Sequence, residues 1–304
     1  MQRISHPYSD NRNSLFGCFW NPSYRDFRKG DQTMTNCPVL LQSVLDRYDY
    51  ARTLSRSRWA WEFLRRNEDF VAEAALHGTG EISVRTACHG ITLIRPRIDQ
   101  MAAERWGLAF FPDPRHDGFT ANAFWSSALF PRQVQVQVSP AGSDLACPIY
   151  DKTVKQCEIV HLFDTAGREH MLIKGNGHVV QVQCTGMSML SPEPVRLGFL
   201  IRGTANINAR WRMLKQAQKV YERDTGDSKH TVWSRTSLAF RNALIAHDCE
   251  TAGLSVRETA EIIYGKARVD DAWAGPGRSM KDEIRRARAR GRDLVSGGYR
   301  TLLS

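Results

Sequence analysis

The sequence predicts an α+β protein with an N-terminal helical segment, a small central antiparallel β meander and a C-terminal helix-turn-helix-like trihelical unit. Three observations predict it. Apolar residues recur at helical spacing from about 41 to 76, short alternating or β-branched runs separated by turn sequences fill about 133–202, and helical spacing returns after Gly203. The β runs follow one another without long helices between them, which disfavours parallel βαβ pairing.

Taken in order, residues 1–40 scatter Asn, Ser, Asp and Arg among aromatics with no sustained period and read as a loose polar arm, with Met1 and Met34 both open as starts. Residues 41–130 read as a helical N-terminal domain. Leu41, Val44, Leu45 and Tyr48 mark one helix and Trp59, Phe63, Phe70 and Ala74 the next, before Gly78-Thr79-Gly80 ends the block. Residues 102–106 suggest a short helix ahead of Pro112-Asp113-Pro114. Trp59 and Trp61 are two positions apart and cannot share a helix face, so one of them is expected to reach a neighbouring domain or subunit while the other aromatics fill the core.

Residues 131–203 form the β segment. Gln133-Val134-Gln135-Val136-Gln137-Val138 alternates strictly, as a half-buried strand does, and further runs cover 157–163, 169–174, 178–184 and 195–201. Asp164-Thr165-Ala166-Gly167, Gly175-Asn176-Gly177 and Ser191-Pro192-Glu193-Pro194 separate them as turns. In residues 204–304, helical spacing covers 205–225, 237–252, 255–264 and 279–295. Gly253 stops one helix, and Ser255 with Glu258 three residues later forms a capping box that starts the next. The spacer from Gly265 to Pro276 exceeds a strict helix-turn-helix turn and is read as a loop insertion.

Charge narrows the class of function. The chain has 304 residues, with 42 Lys plus Arg against 32 Asp plus Glu, a formal net charge of +10. Residues 1–202 hold 23 basic and 20 acidic side chains, and residues 203–304 hold 19 and 12, so the last third carries +7 of the excess. A polyanionic partner is favoured over an acidic small-molecule substrate. No run approaches the ~18 apolar residues of a membrane span and no apolar leader core opens the chain, so the expected compartment is the cytoplasm, with no membrane partner. The seven cysteines have no C-x-x-C pairing and read as reduced thiols, and Cys88-His89 and Cys157 with His161 do not make a zinc site; no metal or cofactor is expected. His247-Asp248, Gly186-Met187-Ser188 and Asp164 are isolated, no nucleophile elbow, Walker loop or zincin motif is present, and an enzyme is not expected.

The residues that carry the functional reading lie in 255–295. Val256, Ala260 and Ile263 share one side of the helix that Ser255 starts. In the last helix Met280, Ile284, Ala287, Gly291 and Leu294 make an apolar stripe, and Lys281, Arg285, Arg288 and Arg292 a basic one, rotated about 100° from it. Such a helix fits a DNA major groove. Lys281, Arg285, Arg288 and Arg292 would then meet bases, Arg286 and Arg290 would flank on phosphates, Ser255 and Arg257 would anchor the preceding helix to the backbone, and Arg278 would join the DNA-binding set. The plain alternative is a solvated basic face paired with Asp282, Glu283 and Asp293.

Five separated motifs, in order, sharpen this: Trp59-Ala60-Trp61-Glu62-Phe63-Leu64-Arg65-Arg66-Asn67, Arg105-Trp106-Gly107-Leu108-Ala109-Phe110-Phe111, the stretch from Val195-Arg196-Leu197 to Arg202-Gly203, the segment Gly253 to Gly265, and Gly297-Gly298-Tyr299-Arg300-Thr301-Leu302-Leu303. Over about 45–304 the chain resembles the RovC-type transcription-factor DNA-binding domain family together with the proteobacterial regulator-like segment that precedes it. The resemblance implies a transcriptional activator that binds double-stranded promoter DNA as a homo-oligomer, in a family associated with type VI secretion and with transfer of integrative conjugative elements; RNA polymerase is a further implied partner. The other class kept open is an accessory or antiactivator adaptor that binds a partner regulator rather than DNA.

Overall fold

The computed structural model describes residues 44–77, 82–86, 91–96, 101–131, 133–141, 158–164, 166–175, 178–193, 195–201, 207–222, 232–273 and 279–304. The expected polar arm, the Gly78-Thr79-Gly80 stop and most of the Gly175-Asn176-Gly177 turn lie outside those residues. Ser55, extended at φ −68° and ψ 164°, opens α1 (Arg56–Leu64). This helix is covered on every side, which explains an aromatic pattern with no polar face. Asn67 then caps α2 (Glu68–His77), its side-chain oxygen accepting from the Phe70 amide at 2.9 Å, with Glu68 and Asp69 in the first turn where the helix dipole favours them.

Two strands, β1 (Ile82–Thr86) and β2 (Ile91–Pro96), rise from the stretch expected to be helical, followed by the short α3 (Met101–Glu104). They join β3 (Val134–Pro140), β4 (Glu158–Phe163), β5 (Glu169–Gly175), β6 (His178–Gly186) and β7 (Val195–Leu200) in one seven-stranded sheet of order β1-β2-β4-β5-β6-β3-β7. The expected meander is there in β4, β5 and β6, which pair antiparallel in sequence order. The sheet as a whole is mixed, a correction to the all-antiparallel expectation, because β2 runs parallel to β4 and β3 parallel to β6. β3 docks beside a strand distant in sequence, and short-range patterns carry no information on that pairing. Asp164 builds the β4–β5 turn by accepting from the amides of Ala166 and Arg168 at 3.0 and 2.8 Å, with Gly167 at φ 75°. The central β5 is buried along its whole length because both sheet faces are covered. Phe110 and Phe124 pack on one face, and α4 (Ile207–Glu222) lies on the other.

The remaining helices are α5 (Arg235–Thr251), α6 (Val256–Tyr264), α7 (Lys266–Trp273) and α8 (Ser279–Val295). The capping box forms as expected: the Ser255 hydroxyl accepts from the Glu258 amide at 3.2 Å, and the Glu258 carboxylate accepts from the Ser255 amide at 2.6 Å. The expected loop insertion after Gly265 is corrected: Gly265 breaks the chain at φ 85°, and α7 begins at once, with Val269 fully buried in the α5–α8 core. The described α-helices of the C-terminal region are therefore five, the four helical runs read from the sequence and α7, so the expected trihelical unit carries an additional helix. The apolar stripe of α8 packs as the sequence indicates, with Met280, Ile284, Gly291 and Leu294 buried and Ala287 half-buried. Gly291 sits where a Cβ would stand 2.5 Å from the Ala243 carbonyl oxygen, so its lack of a side chain is what lets α8 cross α5 this closely.

Candidate nucleic-acid interface

The cation-rich surface grows from the corner between α5 and α6. Ser255 is exposed there, and its hydroxyl and amide are both engaged by its own capping box. Arg257, in the first turn of α6, pairs with Glu261 at 3.0 Å and with Asp270 of α7. Its guanidinium also lies 5.8 Å from the centroid of Trp273, and the Lys281 ammonium reaches the same ring at 4.9 Å. Trp273 thereby gathers cations from α6 and α8 at one end of the bundle.

Along α8 the basic stripe follows the seam with α5 and α6. Arg285 pairs with Asp282 at 3.2 Å and Arg292 with Glu250 of α5 at 2.6 Å, both side chains staying largely in solvent. Arg288 turns inward. Its Nη2 donates to the Leu254 carbonyl and to the Thr259 hydroxyl, each at 2.7 Å, which fastens the α5–α6 corner to α8. Arg286 and Arg290 are exposed on the other flank, with Arg290 4.9 Å from the centroid of Phe240. Arg278 lies outside the described residues.

Trp59 and Trp61 are both buried, so neither faces a second subunit. Trp59 instead packs on Phe240 of α5, ring centroids 5.5 Å apart, while Trp61 meets Phe70 edge-on at 5.7 Å and donates to the His116 carbonyl at 3.0 Å. Around them the separated motifs converge. The Tyr299 hydroxyl donates to the Trp106 carbonyl at 2.9 Å, and Arg300 donates to that of Arg105 at 2.7 Å. The aromatic motifs are thus packing partners of one another.

Sequence reasoning missed the polar joint beneath this surface. Arg66, at the end of α1, grips Asp248 of α5 at 2.7 and 2.9 Å and also bonds Glu62 at 2.7 Å. Tyr48 donates to the same Asp248 carboxylate at 2.8 Å. Burial opposes the charge on Glu62, but Arg65 and Arg66 outweigh it and hold the carboxyl down at about 2. Burial first, and then the Asp248 charge, pushes the Tyr48 hydroxyl well above its ordinary value. The only local signal was the adjacent pair Arg65-Arg66 beside Glu62 in a run otherwise apolar.

The residues weighed for enzyme chemistry are occupied structurally. Asp248 serves this joint, Asp164 serves the β4–β5 turn, and the Ser188 hydroxyl donates to the buried Glu169. Burial pushes the thiols of Cys184 and Cys249 up to about 12, as inert core cysteines require. Among the described residues no cluster of three or more His, Cys, Asp or Glu is placed to hold a metal, and no helix is long and apolar enough to cross a membrane.

Residues 200–304 match the family of RovC-type type VI secretion system transcription-factor DNA-binding domains, and residues 45–111 match the proteobacterial transcriptional regulator-like domain. No curated protein matches the chain. The chain carries a transcription factor's DNA-binding domain from α4 to its last residue, and the regulator-like domain supplies α1, α2, β1, β2 and α3.

Proposed function

We propose that this protein is a sequence-specific transcriptional regulator, an activator of secretion or mobile-element transfer genes, which docks promoter DNA on the exposed cations around α6 and α8. The observation that carries the reading is the coincidence of the DNA-binding-domain match with the region holding most of the excess positive charge. Arg257, Lys281, Arg285, Arg286, Arg290 and Arg292 are the proposed DNA contacts, with Ser255 at the α6 N-terminus beside them. Arg288 has a different proposed part: it shapes the corner that presents these contacts, since its guanidinium bonds Leu254 and Thr259. Pairing of two readers on half-sites supports a homo-oligomer on DNA, and activation supports contact with RNA polymerase.

Chromatin immunoprecipitation followed by gel shifts of the recovered duplex, in competitor DNA, tests the reading. Specific shifts that weaken when Arg285, Arg286 and Arg292 become Ala are expected. A folded protein that shifts no recovered fragment but retains a partner regulator would identify the adaptor instead.

A further inference from the structure

Among the described residues, four exposed large apolar side chains, Phe199, Ile201, Ile207 and Trp211, lie together in sequence at the end of β7 and the start of α4. Val195, Leu197, Phe199 and Ile201 share the sheet face that α4 covers, and their cover runs out along the strand. Val195 is 8 % exposed, Phe199 57 % and Ile201 39 %. The flank of α4 adds Ile207 at 47 % and Trp211 at 49 %, one turn apart and therefore on one side of the helix. β7 is the last strand of the sheet, and no described strand pairs with its outer edge. An open strand edge beside uncovered apolar side chains is a template for another strand.

Charge selects the occupant. Residues 195–222 contain six Lys or Arg and a single acid, Glu222. A second copy added across a dyad would set this basic strip against itself, and like charges brought opposite one another oppose pairing. A nucleic-acid backbone would meet the cations but gain nothing from Ile201 and Ile207. Along β7 the side chains alternate, Phe199 and Ile201 on the α4 face and Arg196 on the other. The matching strand is apolar on the face toward α4 and acidic on the face that Arg196 shares, while Arg212 and Lys215 on α4 keep the neighbourhood positive and oppose a basic segment.

We propose that β7 accepts an extended, alternating acidic and apolar segment of a partner protein as an eighth strand, seated on Phe199, Ile201 and Trp211. The proposal does not depend on where DNA docks. A fluorescein-labelled nine-residue peptide alternating Glu with Ile or Val, read by fluorescence anisotropy against the full chain, tests it. Saturable binding is expected. It should weaken at least tenfold when the peptide's Glu become Lys, when its alternate amides are N-methylated, and when the protein carries Phe199→Glu. Far-ultraviolet circular dichroism should show that this variant is folded, because Phe199 is exposed. No saturable binding, or equal binding by Phe199→Glu, overturns the proposal. So does Phe199-dependent binding of labelled oligothymidylate, and so does a wild-type oligomer in sedimentation equilibrium that Phe199→Glu dissociates.

Discussion

Arg66 Nε and Nη2 hold the two carboxylate oxygens of Asp248 at 2.7 and 2.9 Å across 182 positions of chain, a bidentate pair buried between α1 and α5. It joins the regulator-like domain to the DNA-binding domain beneath the helix whose end leads into the α5–α6 corner. Around it the two domains share one apolar core, in which Trp59, Trp61, Phe70 and Trp106 pack with Phe240, Leu294, Tyr299 and Leu302. The regulator-like domain is therefore part of the scaffold that sets α5, and through α5 the corner.

Removing one partner of this pair leaves the other charged and buried. Arg66→Ala, which leaves Asp248 with only the Tyr48 hydroxyl and strips one cation from Glu62, is expected to cost about 3–5 kcal/mol of stability, and Asp248→Ala less, because Arg66 keeps Glu62. The double variant should cost less than the sum of the two, because the shared interaction is lost only once. Urea midpoints of the three variants against wild type read the coupling. Additive losses would show that the pair does not act as a unit.

Glu62 makes the same joint sensitive to acid. Its carboxyl titrates at about 2 in the folded chain against an ordinary 4.5, so folding favours the ionised form. That contribution is whole above about 4.5 and fades as pH falls toward 2. Glu62→Gln should therefore be less stable than wild type at pH 7, and the gap should narrow steadily below pH 4.5. Comparing urea midpoints of the two proteins at each pH cancels the other carboxyl groups, including Asp164, which also titrates near 2. A constant gap would remove Glu62 from the acid response.

What was legible in the sequence was local. The Ser255–Glu258 capping box, the alternation of β3 and the Met280–Leu294 stripe each depend on residues within a few positions of one another, and each forms. α7 was missed because its apolar positions, Val269, Ala272 and Trp273, make a stripe only one turn long among charged residues, with Val269 alone fully buried, so Gly265 reads as the start of a loop. The parallel placement of β3 beside β6 and the Arg66–Asp248 pair are set by contacts between distant segments, which periodicity does not encode. Arg288 shows the limit of a helical wheel. The wheel sets a residue's angle from the apolar stripe, but whether that angle meets solvent depends on how far the neighbouring helix extends, and the α5–α6 corner reaches Arg288.

Gly291 offers a test of the α5–α8 crossing. A methyl group there would stand 2.5 Å from the Ala243 carbonyl and 2.9 Å from His247 Cβ, and the nearer of these is backbone that has no rotamer to yield. Gly291→Ala raises helix propensity, by about 1 kcal/mol at an unhindered helical site. Here the clash should win and the variant should lose about 1–3 kcal/mol, as overpacked cores do. A rise in the thermal midpoint would mean that the two helices separate freely and that the crossing is not tightly specified.

Arg288 and Arg286 are two residues apart on α8 and should fail in different ways. Arg288→Ala deletes two hydrogen bonds and leaves the Leu254 carbonyl and the Thr259 hydroxyl without that donor. A loss of about 1–3 kcal/mol in stability is expected, with specific and random DNA affinity falling together as the corner loosens. Arg286 is exposed, so Arg286→Ala should change stability by no more than about 0.5 kcal/mol. If it neutralises one phosphate, the slope of log K against log salt should become shallower by about 0.9 while preference among sequences is unchanged. Thermal melts and salt titrations of both variants separate the two outcomes. An Arg288→Ala protein that melts like wild type yet loses only its preferred promoter would return Arg288 to the role of base reader, and an unchanged salt slope in Arg286→Ala would take that residue off the DNA.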